Sequence, residues 1–165
     1  MIERAIEIAA RRSVPVLLNP APARPLSVAA LSKITYFIPN ESETALYAKQ
    51  PVSNLASAAE SAAKLRKMGA AAVILTLGSQ GALLHTDALS EHIPAFPVTP
   101  VDTTAAGDAF VAGFAVAAAS GESLPEAVRF AAAVGALATT KPGAQPSLPE
   151  LAAVEKLLTS ASFPN

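Results

Sequence analysis

The chain has 165 residues, enough for one compact domain with its own core, and its 52% apolar and 15% charged residues exclude an intrinsically disordered protein. A net charge of −1 with lysines and arginines scattered singly provides no basic stripe, so nucleic acid is not an expected partner. The absence of cysteine excludes disulfides and thiolate metal centres and fits a reducing cytoplasm.

Residues 2–11 place Ile2, Ala5, Ile6 and Ala9 at helical spacing with charges opposite, which predicts a first helix. This opening lacks the n-region and h-region of a signal peptide. Val14 to Leu18 is a short β-rich run that ends in the Asn19-Pro-Ala-Pro-Ala23 loop, where two prolines forbid a helix. Ser27 to Lys33 can form a short helix, and Tyr36-Phe-Ile38 a second strand stopped by Pro39. Asn40 or Ser42 then caps a helix starting near Glu43.

The alanine-rich segment from Ser53 to Met68 has one apolar stripe, basic residues near its end and Gly69 as terminator, all helix signals. Ala71 to Leu77 is continuously apolar and of strand length, the pattern of a strand buried on both faces of a parallel sheet. Strands alternating with helices predict an α/β protein. Gly78-Ser-Gln-Gly81 follows as a turn, then Ala82 to His85 pairs with a return strand near His92-Ile-Pro94. Beyond Ala105 three helices are expected: Asp108–Ser120, Leu124–Thr139 and Leu148–Leu158, the last opened by Pro149 and Glu150. The most apolar stretch, Ala109 to Ala119, is about half as long as a membrane span requires, so no membrane partner is expected.

The chemistry concentrates where a small-residue turn runs into an apolar helix. Backbone N–H groups of Ala105, Ala106 and Gly107 at a helix start would point outward unpaired, and the helix dipole adds positive character, which makes an anion hole. Asp108 in the first helical turn could accept the proton of a hydroxyl attacking phosphorus, although an isolated Asp there would more often be a cap. His85 and His92 lack metal-ligand spacing and read as hairpin residues.

The run Asp102-Thr-Thr-Ala-Ala-Gly-Asp-Ala-Phe110 resembles the C-terminal signature of the ribokinase, or PfkB, family of carbohydrate kinases. Asn19-Pro-Ala-Pro-Ala23, Pro39-Asn-Glu-Ser-Glu43, Thr76-Leu-Gly-Ser-Gln-Gly81 and Gly143-Ala-Gln-Pro-Ser147 agree with that family in order and spacing. The resemblance implies a three-layer α/β/α fold with a mostly parallel sheet, and residues 1–165 forming one partial kinase domain truncated on its N-terminal side. It implies ATP-dependent phosphorylation of a pentose, D-ribose to D-ribose 5-phosphate. The alternatives are another sugar or nucleoside kinase of the family, or a non-catalytic nucleotide-binding remnant.

By matching position, Asp108 is implied as general base in contact with the sugar, and Ala105, Ala106 and Gly107 as the anion hole. Asn40, Thr76, Gly78, Ser79, Gly81, Gly107, Asp108 and Ala132 are implied as nucleotide contacts, with alanine at 132 where the family often has a polar residue. Glu43 is implied to hold Mg²⁺ through water. Asp102, Thr104, Ala138, Lys141, Gly143 and Ser147 are implied around a monovalent cation, K⁺, with Pro142 stiffening that loop. The readings of Asn40 and Glu43 as a nucleotide motif and as a helix capping box are compatible. The family's sugar-binding half and lid have no counterpart here, so the chain alone is expected to show little activity and to self-associate. The full enzyme is expected to be a homodimer.

Overall fold

The computed structural model describes residues 1–160. They form two compact units, the first made of residues 1–77 and 83–92 and the second of residues 78–82 with 93 onward. In the first unit, helix α1 (Ile2–Arg11) leads to strand β1 (Leu17–Leu18), helix α2 (Val28–Leu31) and strand β2 (Tyr36–Phe37). Helices α3 (Glu41–Ala48) and α4 (Leu55–Lys67) precede strand β3 (Ala72–Thr76), and β4 (Ala82–His85) and β5 (Ser90–Ile93) complete a five-stranded sheet in the order β1-β2-β3-β4-β5.

β1, β2 and β3 are parallel, in register Leu17 to Tyr36 and Tyr36 to Ala72. The four residues Ala72–Leu75 are buried, which explains the uninterrupted apolar run of a strand covered on both faces. The two-residue β1 is shorter than the run from Val14 suggested. Pro15 has no N–H to give, and the ladder starts instead with Val16 N–H donating to Thr35 Oγ1 at 3.0 Å.

α4 forms because alanines fill its core face, Ala58, Ala62 and Leu65 being fully buried, and because Asn54 and Ser57 make a capping box at its start. Its end is sharp because Gly69 takes φ +119°, and a Cβ there would sit 2.9 Å from the Ser32 Cα. Phe37, Leu31, Ile34, Leu65, Val73 and Leu75 make the core of this unit, each such side chain contributing about 2–3 kcal/mol of burial. Phe37 meets Tyr47 edge to face at 5.3 Å.

The second unit is helical beyond β5. Helices α5 (Ala106–Ala119) and α6 (Leu124–Ala138) pack through small residues, Gly113 lying so close to Val134 that a Cβ would meet it at 3.0 Å. Helix α7 (Leu151–Ser160) starts three residues later than its Pro149–Glu150 signal implied. Gln145–Ser147 form a 3-10 turn, and Leu148 is extended with ψ 129° because the residue before proline is pushed out of the helical region. Val154 buries α7, and Arg129 Nη2 donates to Leu158 O at 3.1 Å.

Candidate functional site

In the first unit the carboxyl ends of the parallel strands carry Asn40 and Thr76. β2 ends at Phe37, and Asn40 adopts an extended backbone that forms an isolated parallel bridge with Thr76 at the end of β3. Thr76 N–H donates to Pro39 O at 3.0 Å. Asn40 is also the cap of α3: Glu43 N–H donates to Asn40 Oδ1 and Asn40 N–H to Glu43 Oε2, each at 2.9 Å. The Glu43 carboxylate is therefore held in place while only 7% exposed. The same bonds orient the Asn40 carboxamide, whose Nδ2 has no hydrogen bond among the described residues and remains a donor for a ligand. Ser42, the other candidate cap, lies inside the helix.

In the second unit, Gly78–Gln80 form a 3-10 turn with Gly78 at φ +53° and Gly81 at φ +94°. Gly78 and Ser79 are exposed. The turn before α5 is tied to the end of α6 by three bonds: Val101 and Asp102 N–H both donate to Thr139 O, at 2.7 and 3.0 Å, and Gly143 N–H donates to Asp102 Oδ2 at 2.8 Å. Asp102 Oδ1 accepts from Thr104 N–H at 2.9 Å. The Gly143 amide first, and then the hydroxyl and amide of Thr104, hold the Asp102 carboxyl down at about 2.

Ala105 completes the turn in the left-handed region, φ 60° and ψ 10°, a conformation costing a non-glycine residue about 1–2 kcal/mol. Contrary to the expectation of three free amides, one is engaged. Ala106 N–H is not free, because the tightness of this turn lets it donate to Thr103 O at 3.2 Å. The amides of Ala105 and Gly107 have no partner among the described residues and lie at the positive end of a 14-residue helix. Gly107 faces open space, with nothing within 4 Å of where a Cβ would be. Asp108 is the third residue of α5 and is exposed.

Asp102, Thr104 and Gly143 are thus brought together, and Ala138 is the last residue of α6, next to Thr139, whose carbonyl accepts from Asp102 N–H. Its carbonyl has no hydrogen bond among the described residues, because the residue four further on is Pro142, which lacks an N–H. Ser147 is buried, its Oγ donating to Ala144 O at 2.7 Å, whereas Lys141 is exposed. Ala132 lies on the buried side of α6, 8% exposed, and can offer only a carbon contact. Thr139, whose carbonyl anchors the turn, was not singled out from the sequence, since a backbone acceptor leaves no side-chain signal.

A separate concavity of about 400 Å³ lies between α4 and the β4–β5 turn, lined by Arg66, Lys67, His85 and Asp87 among others, and includes none of these residues. No group of three His, Cys, Asp or Glu able to hold a metal occurs among the described residues, and no described helix is long and apolar enough to cross a membrane.

Open parallel strand ends bearing Asn and Thr, and a small-residue turn opening a helix with a carboxylate in its first turn, are the equipment of an α/β phosphotransferase. The chain belongs to the pfkB family of carbohydrate kinases, whose description matches residues 1–151. It is 40% identical to the ribokinase of Haemophilus influenzae over 148 residues, covering 90% of this chain and 48% of that one. It is 41% identical to the ribokinase of Schizosaccharomyces pombe over 158 residues, covering 93% and 50%. Arabidopsis thaliana ribokinase, solved with ribose and ATP, superposes at a TM-score of 0.91 with 33% identity, covering 97% of this chain and 52% of that one. Phosphofructokinase-2 of Escherichia coli, solved with potassium, superposes at 0.83 with 25% identity, covering 96% and 51%. The ribokinase-like α/β fold is therefore established, and the chain spans about half the length of the curated relatives it matches.

Proposed function

We propose that this chain carries the nucleotide-binding and base-bearing part of an ATP-dependent ribokinase, which phosphorylates D-ribose to D-ribose 5-phosphate. The observation that carries the reading is the head of α5: the unpartnered amides of Ala105 and Gly107 and a helix dipole share the first turn with an exposed carboxylate, Asp108. Amides stabilise charge developing on a phosphoryl group, and Asp108 accepts the proton from the attacking sugar hydroxyl. Relatives named ribokinase support ribose as the substrate.

In the first unit, Asn40 Nδ2 and Thr76 would meet the nucleotide; in the second, the exposed Gly78 and Ser79, with Gly81, are nucleotide contacts by resemblance to the family. The donor sets fit the two ions the family implies. Glu43, a single fixed carboxylate, suits Mg²⁺ bound through water and phosphate oxygens, which would supply charge neutralisation of the polyphosphate. The Asp102 carboxylate and uncapped carbonyls such as that of Ala138 suit a monovalent cation, which would add positive charge behind the turn.

The test is calorimetric titration of the 165-residue chain with ATP and Mg²⁺ in K⁺ buffer, beside the Asn40→Ala/Thr76→Ala and Asp108→Asn variants. Saturable binding, lost in the double variant and kept in Asp108→Asn, is expected. Because positioning of both reactants dominates phosphoryl transfer, ribose-dependent ADP release by the chain alone should be negligible. No ATP binding by the folded chain overturns the reading.

A further inference from the structure

The loop Asn19-Pro-Ala-Pro-Ala23 has no role in the proposal above, yet its first residue closes the strand pairing that leads to Asn40. β1 and β2 are linked by Tyr36 N–H to Val16 O and by Ile38 N–H to Leu18 O, both at 2.9 Å. In a parallel ladder the next bond would run from the amide of residue 20 to Ile38 O. Residue 20 is proline and has no amide hydrogen. Asn19 Nδ2 donates to Ile38 O instead, at 2.7 Å.

Ile38 is fully buried and Pro20 is buried, so without that side chain the carbonyl would be left unpaired out of reach of water. From Ile38 the chain reaches Asn40 through Pro39 alone, and Pro39 O is the acceptor for Thr76 N–H. The Asn19 bond is thus the last tie between β1 and the segment that places Asn40 beside Thr76.

We infer that Asn19 is a positioning residue for nucleotide binding. Its carboxamide substitutes for the ladder bond that Pro20 cannot make, and so fixes Ile38, Pro39 and the Asn40 carboxamide. The functional half of this inference rests on the reading of Asn40 as a nucleotide contact.

In the wild-type chain, one Asn19 side-chain amide proton should exchange with solvent at least about ten times more slowly than that of an exposed asparagine, as seen by NMR. Exchange at the exposed rate overturns the inference. Four chains are then compared: wild type, Asn19→Ala, Pro20→Ala and the double variant, in which residue 20 regains an N–H. Asn19→Ala should speed amide exchange of Glu43 and Thr76 and weaken Mg²⁺-ATP binding, each about five-fold, as for one lost neutral hydrogen bond. The double variant should recover both. If Asn19→Ala does not fold, recovery of folding in the double variant is the equivalent result, and failure of the double variant where Pro20→Ala folds overturns the inference. Weaker ATP binding with unchanged exchange and no recovery means that Asn19 touches the nucleotide directly, which also overturns it. The expected exchange pattern in a chain that binds no ATP leaves the brace standing and removes the nucleotide reading of Asn40.

Discussion

Gly81 and Gly78 stand three residues apart in one turn, both at positive φ, and alanine at each should give very different results. At Gly78, φ is +53° and nothing lies within 4 Å of an added Cβ. Alanine there pays only the left-handed conformation, about 1–2 kcal/mol, offset by about 0.4–1 kcal/mol from a less flexible unfolded chain. At Gly81, φ is +94° and a Cβ would fall 2.1 Å from Ile93 O and 2.6 Å from Ala95 N and Pro94 C. These are backbone atoms, so no rotamer change can relieve the overlap and the β5 exit must move. Backbone strain of about 1–3 kcal/mol and overpacking of about 1–3 kcal/mol, less the same unfolded-state gain, put Gly81→Ala about 1–6 kcal/mol below wild type. With a urea slope of about 2 kcal/mol/M, the midrange costs of about 3.3 kcal/mol for Gly81→Ala and about 0.8 kcal/mol for Gly78→Ala lower the unfolding midpoints by about 1.6 M and about 0.4 M. Equal stability of the two variants, within about 0.5 kcal/mol, would mean that the Ile93–Ala95 backbone does not resist a Cβ at position 81.

Asn40→Ala removes the cap of α3 and should cost about 1 kcal/mol, lowering the melting temperature by about 2–4 °C in a chain of this size; an unchanged melting curve would mean the capping bond contributes nothing. Asp102 has a folded pKa of about 2 against an ordinary 3.8, so the folded state binds its proton less readily than the unfolded one. The stability it contributes is complete above about pH 4 and lost as pH falls toward 2. A carboxyl titration by ¹³C NMR should place its midpoint near 2, and a midpoint in the ordinary range would show that the Gly143 and Thr104 bonds do not persist in solution.

Much of the architecture can be read along the chain because it depends on local chemistry. The apolar run of β3, the alanine stripe of α4 stopped by Gly69 and the Asn40–Glu43 capping box each follow from residue types at fixed spacing, and all three occur. Boundaries set by proline geometry were less legible. β1 is curtailed at its N-terminal end, while its Leu18 end falls where expected, and α7 starts late, because the effect of a proline depends on whether its missing N–H was needed by a partner strand or turn.

For the site, which side chains are available and that a small-residue turn opens α5 are legible along the chain, since these are properties of a contiguous segment. Which of those groups are free to act depends on the folded chain. It engages Ala106 N–H with Thr103 O, joins Asp102 to Gly143 across 41 residues, and gives Ile38 O to the side chain of Asn19. A backbone amide or carbonyl is present at nearly every position whatever the residue, so its availability is set by the partner that folding brings to it, which no local pattern encodes.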